Sequence, residues 1–297
     1  MNFDLATYFS TKKSLVESAL RSRWMPAASF DPIRLQESAS YSLFADGKRV
    51  RPVLTFATAH VLGLSDDDVL PIAAALEMIH VFSLIHDDLP AMDDDDLRRG
   101  QPTNHKVYGE ALAILAGDAL LAQAFIPLTE INTQKFGAES VLRVIRLIAD
   151  ATGFNGMIGG QVIDMESEGR AISLARLQTL HRKKTGALIE AAILAPVELR
   201  AATAEQREAL SEYGAAIGLL FQITDDILDI EGGVELGKDI GSDVARGKST
   251  YPALMGLDGA KAERERVLAN AMNAVRIFGD AATPLTAIAD FIAKRKK

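Results

Sequence analysis

Cysteine is absent from this chain of 297 residues, so disulfides and thiolate metal sites are excluded. Histidine occurs only five times, which leaves little material for an imidazole-rich metal centre. Aromatic residues make up 6% of the chain, as in helical bundles packed by Leu, Ile and Ala. Uninterrupted apolar runs are also missing. Glu77, His80 and His86 break one long apolar stretch and Asp118 breaks another. Neither resembles a membrane span of about 20 apolar residues. Met1 to Leu20 carries Asp4, Lys12, Lys13 and Glu17 in place of the apolar centre of a signal peptide. These absences predict a cytoplasmic protein that does not engage a membrane. There is no excess of positive charge: the net charge is −8 and the isoelectric point about 5.2. Nonspecific nucleic-acid binding is therefore disfavoured. No Pro/Gly/Ser-rich linker and no repeat divides the chain, which predicts a single domain over residues 1–297.

What is present reads at helical period almost throughout, with few alternating β-branched runs. Ser65 with Asp66 to Asp68 forms a polar, acidic helix start, Pro71 suits the first turn, and Ile72 to Leu89 continues as an apolar helix. Further helices are predicted over 11–21, 32–44, 49–61, 110–131, 138–152, 157–167, 173–195, 204–230, 249–257, 261–277 and 283–294. The predicted fold is a large all-α bundle. So many helices are hard to fill around one axis, and a deep central cavity removes that difficulty.

Two aspartate-rich segments carry the chemistry. The first contains Asp87, Asp88 and Asp93 to Asp96, followed by Arg98 and Arg99; the second contains Asp225, Asp226 and Asp229. Each follows an apolar helix. Clustered carboxylates there repel one another and lose hydration, so they need a counter-charge. Asp225 and Asp229 are four apart and share a helix face. They also sit at a helix C-terminus, where the macrodipole disfavours negative charge, so a cation is expected beside them. Asp87 and Asp93 are six apart and would diverge on a regular helix. Pro90 ends the helix near Leu89, and the chain can then fold back to bring Asp93 towards Asp87. An all-oxygen donor set without thiols favours a hard divalent cation. Magnesium fits better than calcium, because it is held by few carboxylates together with water and substrate phosphates.

Basic residues occur in islands at Lys48-Arg49-Arg51, Arg98-Arg99 and Arg182-Lys183-Lys184, a pattern suited to small anions. Gly232 to Gly247 holds five glycines directly after the second acidic motif and reads as a lid bringing Lys238, with Lys248 at its edge, onto bound phosphates. The Lys294-Arg295-Lys296-Lys297 tail reads as a solvated terminus.

Taken together, the chain resembles the trans-isoprenyl diphosphate synthases, most closely the bacterial farnesyl diphosphate synthase branch. The markers are Gly47-Lys48-Arg49-Val50-Arg51-Pro52, His80, Asp87-Asp88-Leu89-Pro90-Ala91-Met92-Asp93 with Arg98-Arg99-Gly100, Gly160-Gln161-Val162-Ile163-Asp164, Lys184-Thr185-Gly186, Phe221-Gln222-Ile223-Thr224-Asp225-Asp226 and Gly237-Lys238-Asp239. The resemblance implies an all-α homodimer that condenses isopentenyl diphosphate head-to-tail with dimethylallyl and geranyl diphosphate to give farnesyl diphosphate. It implies three magnesium ions per site with diphosphate bound. Asp87, Asp93 and Asp225 are the implied main ligands, supported by Asp88, Asp226 and Asp229. Lys48, Arg51, His80 and Arg99 are the implied isopentenyl diphosphate contacts. Arg98, Lys184, Thr185, Gln222, Lys238 and Lys248 are implied on the allylic side.

That division is chemically sensible. The homoallylic diphosphate must stay intact and is held by fixed Lys and Arg, whereas the allylic diphosphate must leave and receives the metal. Thr185 and Gln222 offer neutral oxygens that stabilise a carbocation without capturing it. Phe82 lies five residues before Asp87, roughly 7.5 Å along a helix axis, deep enough to obstruct a growing prenyl tail. Ser83 beside it is small. Product length, C15 against the C20 of a geranylgeranyl diphosphate synthase, turns on this floor. A class I terpene cyclase, a non-catalytic regulatory subunit and a di-iron bundle would each also place acidic side chains inside helices. The paired Asp motifs and the basic site disfavour all three, and the single Glu-x-x-His, Glu77 to His80, is one short of the two that a di-iron bundle uses.

Overall fold

A computed structural model describes residues 3–27, 30–200, 202–231 and 249–295. The predicted lid and Lys238 and Lys248 lie outside the described residues. The chain is helical nearly throughout. Helix α1 (Leu5–Ala19) ends in a π-helical turn, Leu20–Trp24, and is followed by α2 (Ile33–Leu43), α3 (Val50–Val61) and α4 (Asp66–Asp87). A two-residue hairpin, β1 (Leu97–Arg98) with β2 (Gln101–Pro102), pairs antiparallel and leads into α5 (Asn104–Tyr108). Helices α6 (Glu110–Gln123), α7 (Phe125–Thr129), α8 (Thr133–Phe136), α9 (Ala138–Thr152), α10 (Met157–Ser167) and α11 (Leu174–His181) follow. A second π-helical turn, Arg182–Gly186, joins α11 to α12 (Ala187–Leu199). The last helices are α13 (Ala204–Glu231), α14 (Tyr251–Met255), α15 (Leu257–Ala274) and α16 (Thr283–Lys294).

Helix α4 is the axis of the molecule. Ser65 caps it reciprocally: its hydroxyl accepts from the Asp68 amide, and the Asp68 carboxylate accepts from the Ser65 amide at 2.9 Å. Three aspartates in the first turn suit the positive end of the helix dipole. Pro71 falls in the second turn, not the first, and the helix ends at Asp87, two residues before the predicted stop. Residues from Val69 to Ile85 are buried almost continuously because α3, α6 and α12 surround α4. One apolar core runs from Val16 to Ala293. The last helix joins it, with the Tyr213 hydroxyl donating to the Leu285 carbonyl at 2.7 Å.

Two predicted helices are broken. Residues 110–131 divide at Ala124, and 173–195 divides at the π-helical turn. By length and composition, Asp66–Asp87 and Glu110–Thr129 could each cross a membrane, which the interrupting charges had argued against. The first is the buried core helix. The second leaves a stripe exposed at Ala111, Leu115, Asp118, Ala122 and Ile126.

Candidate active site

A cavity of about 2170 Å³ opens among α1, α3, α4, α10, α11, α13 and α16. Asp87 and Asp93 from the first acidic segment and Asp225 and Asp226 from the second line the same hollow. The fold-back at Pro90 occurs as the spacing predicts. The Asp93 amide donates to the Asp87 carbonyl at 2.9 Å, and the Asp94 amide donates to the Leu89 carbonyl at 3.1 Å. This turn places Asp93 against the end of α4. Burial and the nearby Asp93 and Asp164 raise the pKa of Asp87, opposed by Lys184 and Arg98. A carboxylate pushed this way is unstable alone and favours a bound cation.

Asp88 stands differently from the expectation. It lies off the main cavity, beside a small recess behind α4, and its buried carboxylate accepts from Arg98 Nε at 2.6 Å. Burial pushes it up to about 6 despite that partner. The reason is helical phase: Asp88 follows Asp87 by about 100° of rotation, so both cannot face the hollow. Asp88 thus acts here as the counter-ion of Arg98, which itself lines the cavity.

The hairpin presents the other arginine. Its two central residues, Arg99 and Gly100, both have positive φ, as a type I′ turn requires. Arg99 packs against Gly47, where a Cβ would stand 2.6 Å from its guanidinium. Lys48, Arg51, His80 and Arg99 all line one part of the cavity. Arg51 Nε is buried without a partner, and burial lowers its pKa to about 10. His80 is held well below its ordinary value by burial, with Arg51 and Arg99 adding to the effect, so it is neutral. A cluster of cations carrying an unsatisfied donor suits an anion.

Lys184, Thr185 and Gln222 also stand on the cavity wall. Lys184 and Thr185 project from the π-helical turn, a feature common at functional sites. Lys184 Nζ is paired to Asp164 Oδ2 at 2.7 Å. Helix α10 reaches this turn only because residue 160 is glycine: a Cβ there would stand 2.2 Å from the Lys184 amide nitrogen. Phe82 and Ser83 also line the cavity; the Ser83 hydroxyl donates to the His80 carbonyl at 2.8 Å.

Arg295 overturns the reading of the C-terminal tail. Its side chain is 8% exposed, its Nη2 donates to Asp225 Oδ1 at 2.5 Å and to the Phe221 carbonyl at 3.1 Å, and its guanidinium lies over the Phe221 ring. It is the cation that the acidic end of α13 demanded. The signal was in the sequence, in an unbalanced carboxylate cluster and a basic run, but nothing in the spacing joined them. Asp164 was likewise visible only as part of a motif, with no partner assigned.

Among the described residues, no three His, Cys, Asp or Glu side chains converge as a ready-made metal site. The oxygen-only carboxylates on the wall nevertheless fit magnesium, which takes the rest of its shell from water and phosphate.

Residues 32–279 match the polyprenyl synthetase family. The chain is 49% identical over 255 residues to farnesyl diphosphate synthase of Geobacillus stearothermophilus, covering 86% of this chain and 85% of that protein. It is 45% identical over 296 residues to geranylgeranyl diphosphate synthase of Cyanophora paradoxa, covering 99% and 97%. Among solved structures, the apo FPP/GFPP synthase of Zymomonas mobilis superposes with a TM-score of 0.85 at 33% identity, over 98% of this chain and 100% of that one. With the helical bundle, the shared hollow and these matches all in agreement, the chain belongs to the polyprenyl synthetase family.

Proposed function

We propose that this protein joins isopentenyl diphosphate head-to-tail to dimethylallyl and then geranyl diphosphate, releasing farnesyl diphosphate. The observation that carries the reading is one cavity lined both by two aspartate motifs and by the cations Lys48, Arg51 and Arg99. Two diphosphates with opposite fates need that asymmetry. Lys48, Arg51 and Arg99 would hold the diphosphate that stays intact, with neutral His80 beside it. Asp87, Asp93 and Asp225 would hold magnesium, which when bound supplies positive charge to the departing diphosphate. Arg295 would exchange Asp225 for a phosphate oxygen or for solvent as that charge arrives. Lys184, steadied by Asp164, points a further cation into the cavity. Thr185 and Gln222 face the hollow with neutral oxygens, and apolar walls such as Met157, Ile158 and Phe82 exclude water from a carbocation. Lys238 and Lys248, outside the described residues, are proposed to complete the allylic side.

Phe82 supports C15 as the product, since it borders the cavity on the same helix as Asp87, a little over one turn earlier. The exposed stripe of α6 and α7 supports a homodimer, and the protein is proposed to act in the cytoplasm without a membrane. Incubation with isopentenyl diphosphate, geranyl diphosphate and magnesium should yield C15, and Phe82→Ala should move the product towards C20. Diphosphate release without chain extension would favour a cyclase, and C20 from the unaltered enzyme would favour a geranylgeranyl diphosphate synthase.

A further inference from the structure

The acidic motif begins one residue after His86, yet no step above uses that imidazole. His86 follows Phe82 by one helical turn on α4, and the two rings meet edge to face, 5.0 Å apart at 81°. The far side of the imidazole is tied to α6. Its Nε2 lies 3.1 Å from the Ile114 carbonyl and 3.8 Å from Asp118 Oδ1. A carbonyl only accepts, so Nε2 carries the proton in that contact. The ring fits there because residue 117 is glycine. A Cβ at that position would stand 2.3 Å from His86 Nε2 and 2.5 Å from Cδ2. Glycine is a poor residue for a helix interior, and here its missing side chain is the slot that receives the imidazole. Phe82, His86 and Asp118 all border the cavity.

We propose that His86, seated in the Gly117 slot and bonded to the Ile114 carbonyl, is a positioning residue that fixes the Phe82 ring as the floor of the hydrocarbon pocket. The inference rests on the reading of Phe82 as the chain-length stop. It assigns specificity to a second layer, two helices pinned together behind the ring. A Phe82 without this support can turn aside and admit a longer tail, even though its own side chain is unchanged.

The test compares primers on one enzyme, so that general damage cancels. The ratio of kcat/KM for farnesyl to that for geranyl diphosphate, with isopentenyl diphosphate and magnesium, is measured for the unaltered protein, Phe82→Ala, His86→Ala, Gly117→Ala and the Phe82→Ala/His86→Ala pair. Loss of an edge-to-face contact predicts a rise in the ratio of up to about tenfold for His86→Ala. Gly117→Ala, which evicts the imidazole without altering the acidic motif, should change the ratio in the same direction. In the Phe82→Ala background, His86→Ala should add nothing. Additive effects would make His86 a separate wall and overturn the proposal, as would an unchanged ratio in His86→Ala while Phe82→Ala raises it. No effect of Phe82→Ala would remove Phe82 as the stop and the proposal with it.

Discussion

At the scale of single residues, partners decide which cation is left for the cavity. Arg49 belongs to the same basic island as Lys48 and Arg51, but its side chain is wholly buried. It donates to Glu17, to Glu77 at 3.0 Å and to the Leu43 and Ala45 carbonyls at 2.9 Å. Arg49 itself sits at φ 53 at the edge of the hollow, and these four partners take up its donors, so it braces the cavity wall. Arg49→Met should therefore lower stability by roughly 3–5 kcal/mol in denaturant titrations, because buried Glu77 loses its partner. The spacing of the island could not separate a structural arginine from two residues proposed to bind, since all three are equally basic in sequence. His80 gives a pH test. The folded protein keeps it neutral, while the unfolded chain protonates it below about 6.5. Folding stability should thus fall as pH drops under that value, and His80→Gln should flatten this part of a melting-temperature profile.

Among elements, the legible features were those with a local cause. The start of α4 followed from Ser65 and its aspartates, and the fold-back from Pro90 and the six-residue spacing. The π-helical turn and the hairpin were not legible, because each depends on contacts from elsewhere. Arg182–Gly186 has an ordinary helical composition, and it widens where α10 presses on it. Gly160→Ala should force that contact apart. The expected outcome is a loss of about 1–3 kcal/mol of stability, with kcat lowered by up to about 10²-fold through displacement of Lys184. Equal activity at reduced stability would show that Lys184 tolerates the shift.

For the molecule as a whole, the all-α fold around a hollow was readable from helical periodicity and the number of helices. The stripe at Ala111, Leu115, Ala122 and Ile126 was not separable from core positions, because apolar periodicity looks the same whether its partner is the same chain or another. For the proposed homodimer, Leu115→Glu with Ile126→Glu should halve the mass seen in sedimentation equilibrium, since a stable interface of about 1,000 Å² does not tolerate buried unpaired charge; an unchanged mass would take the interface elsewhere. The cavity has one more consequence at this scale. Phe9 of the first helix and Phe291 of the last meet at 5.2 Å on its wall, and Arg295 reaches in beyond them. During translation the early helices emerge long before α16, so a nascent chain carries an unfinished and partly greasy vessel until that helix has been made.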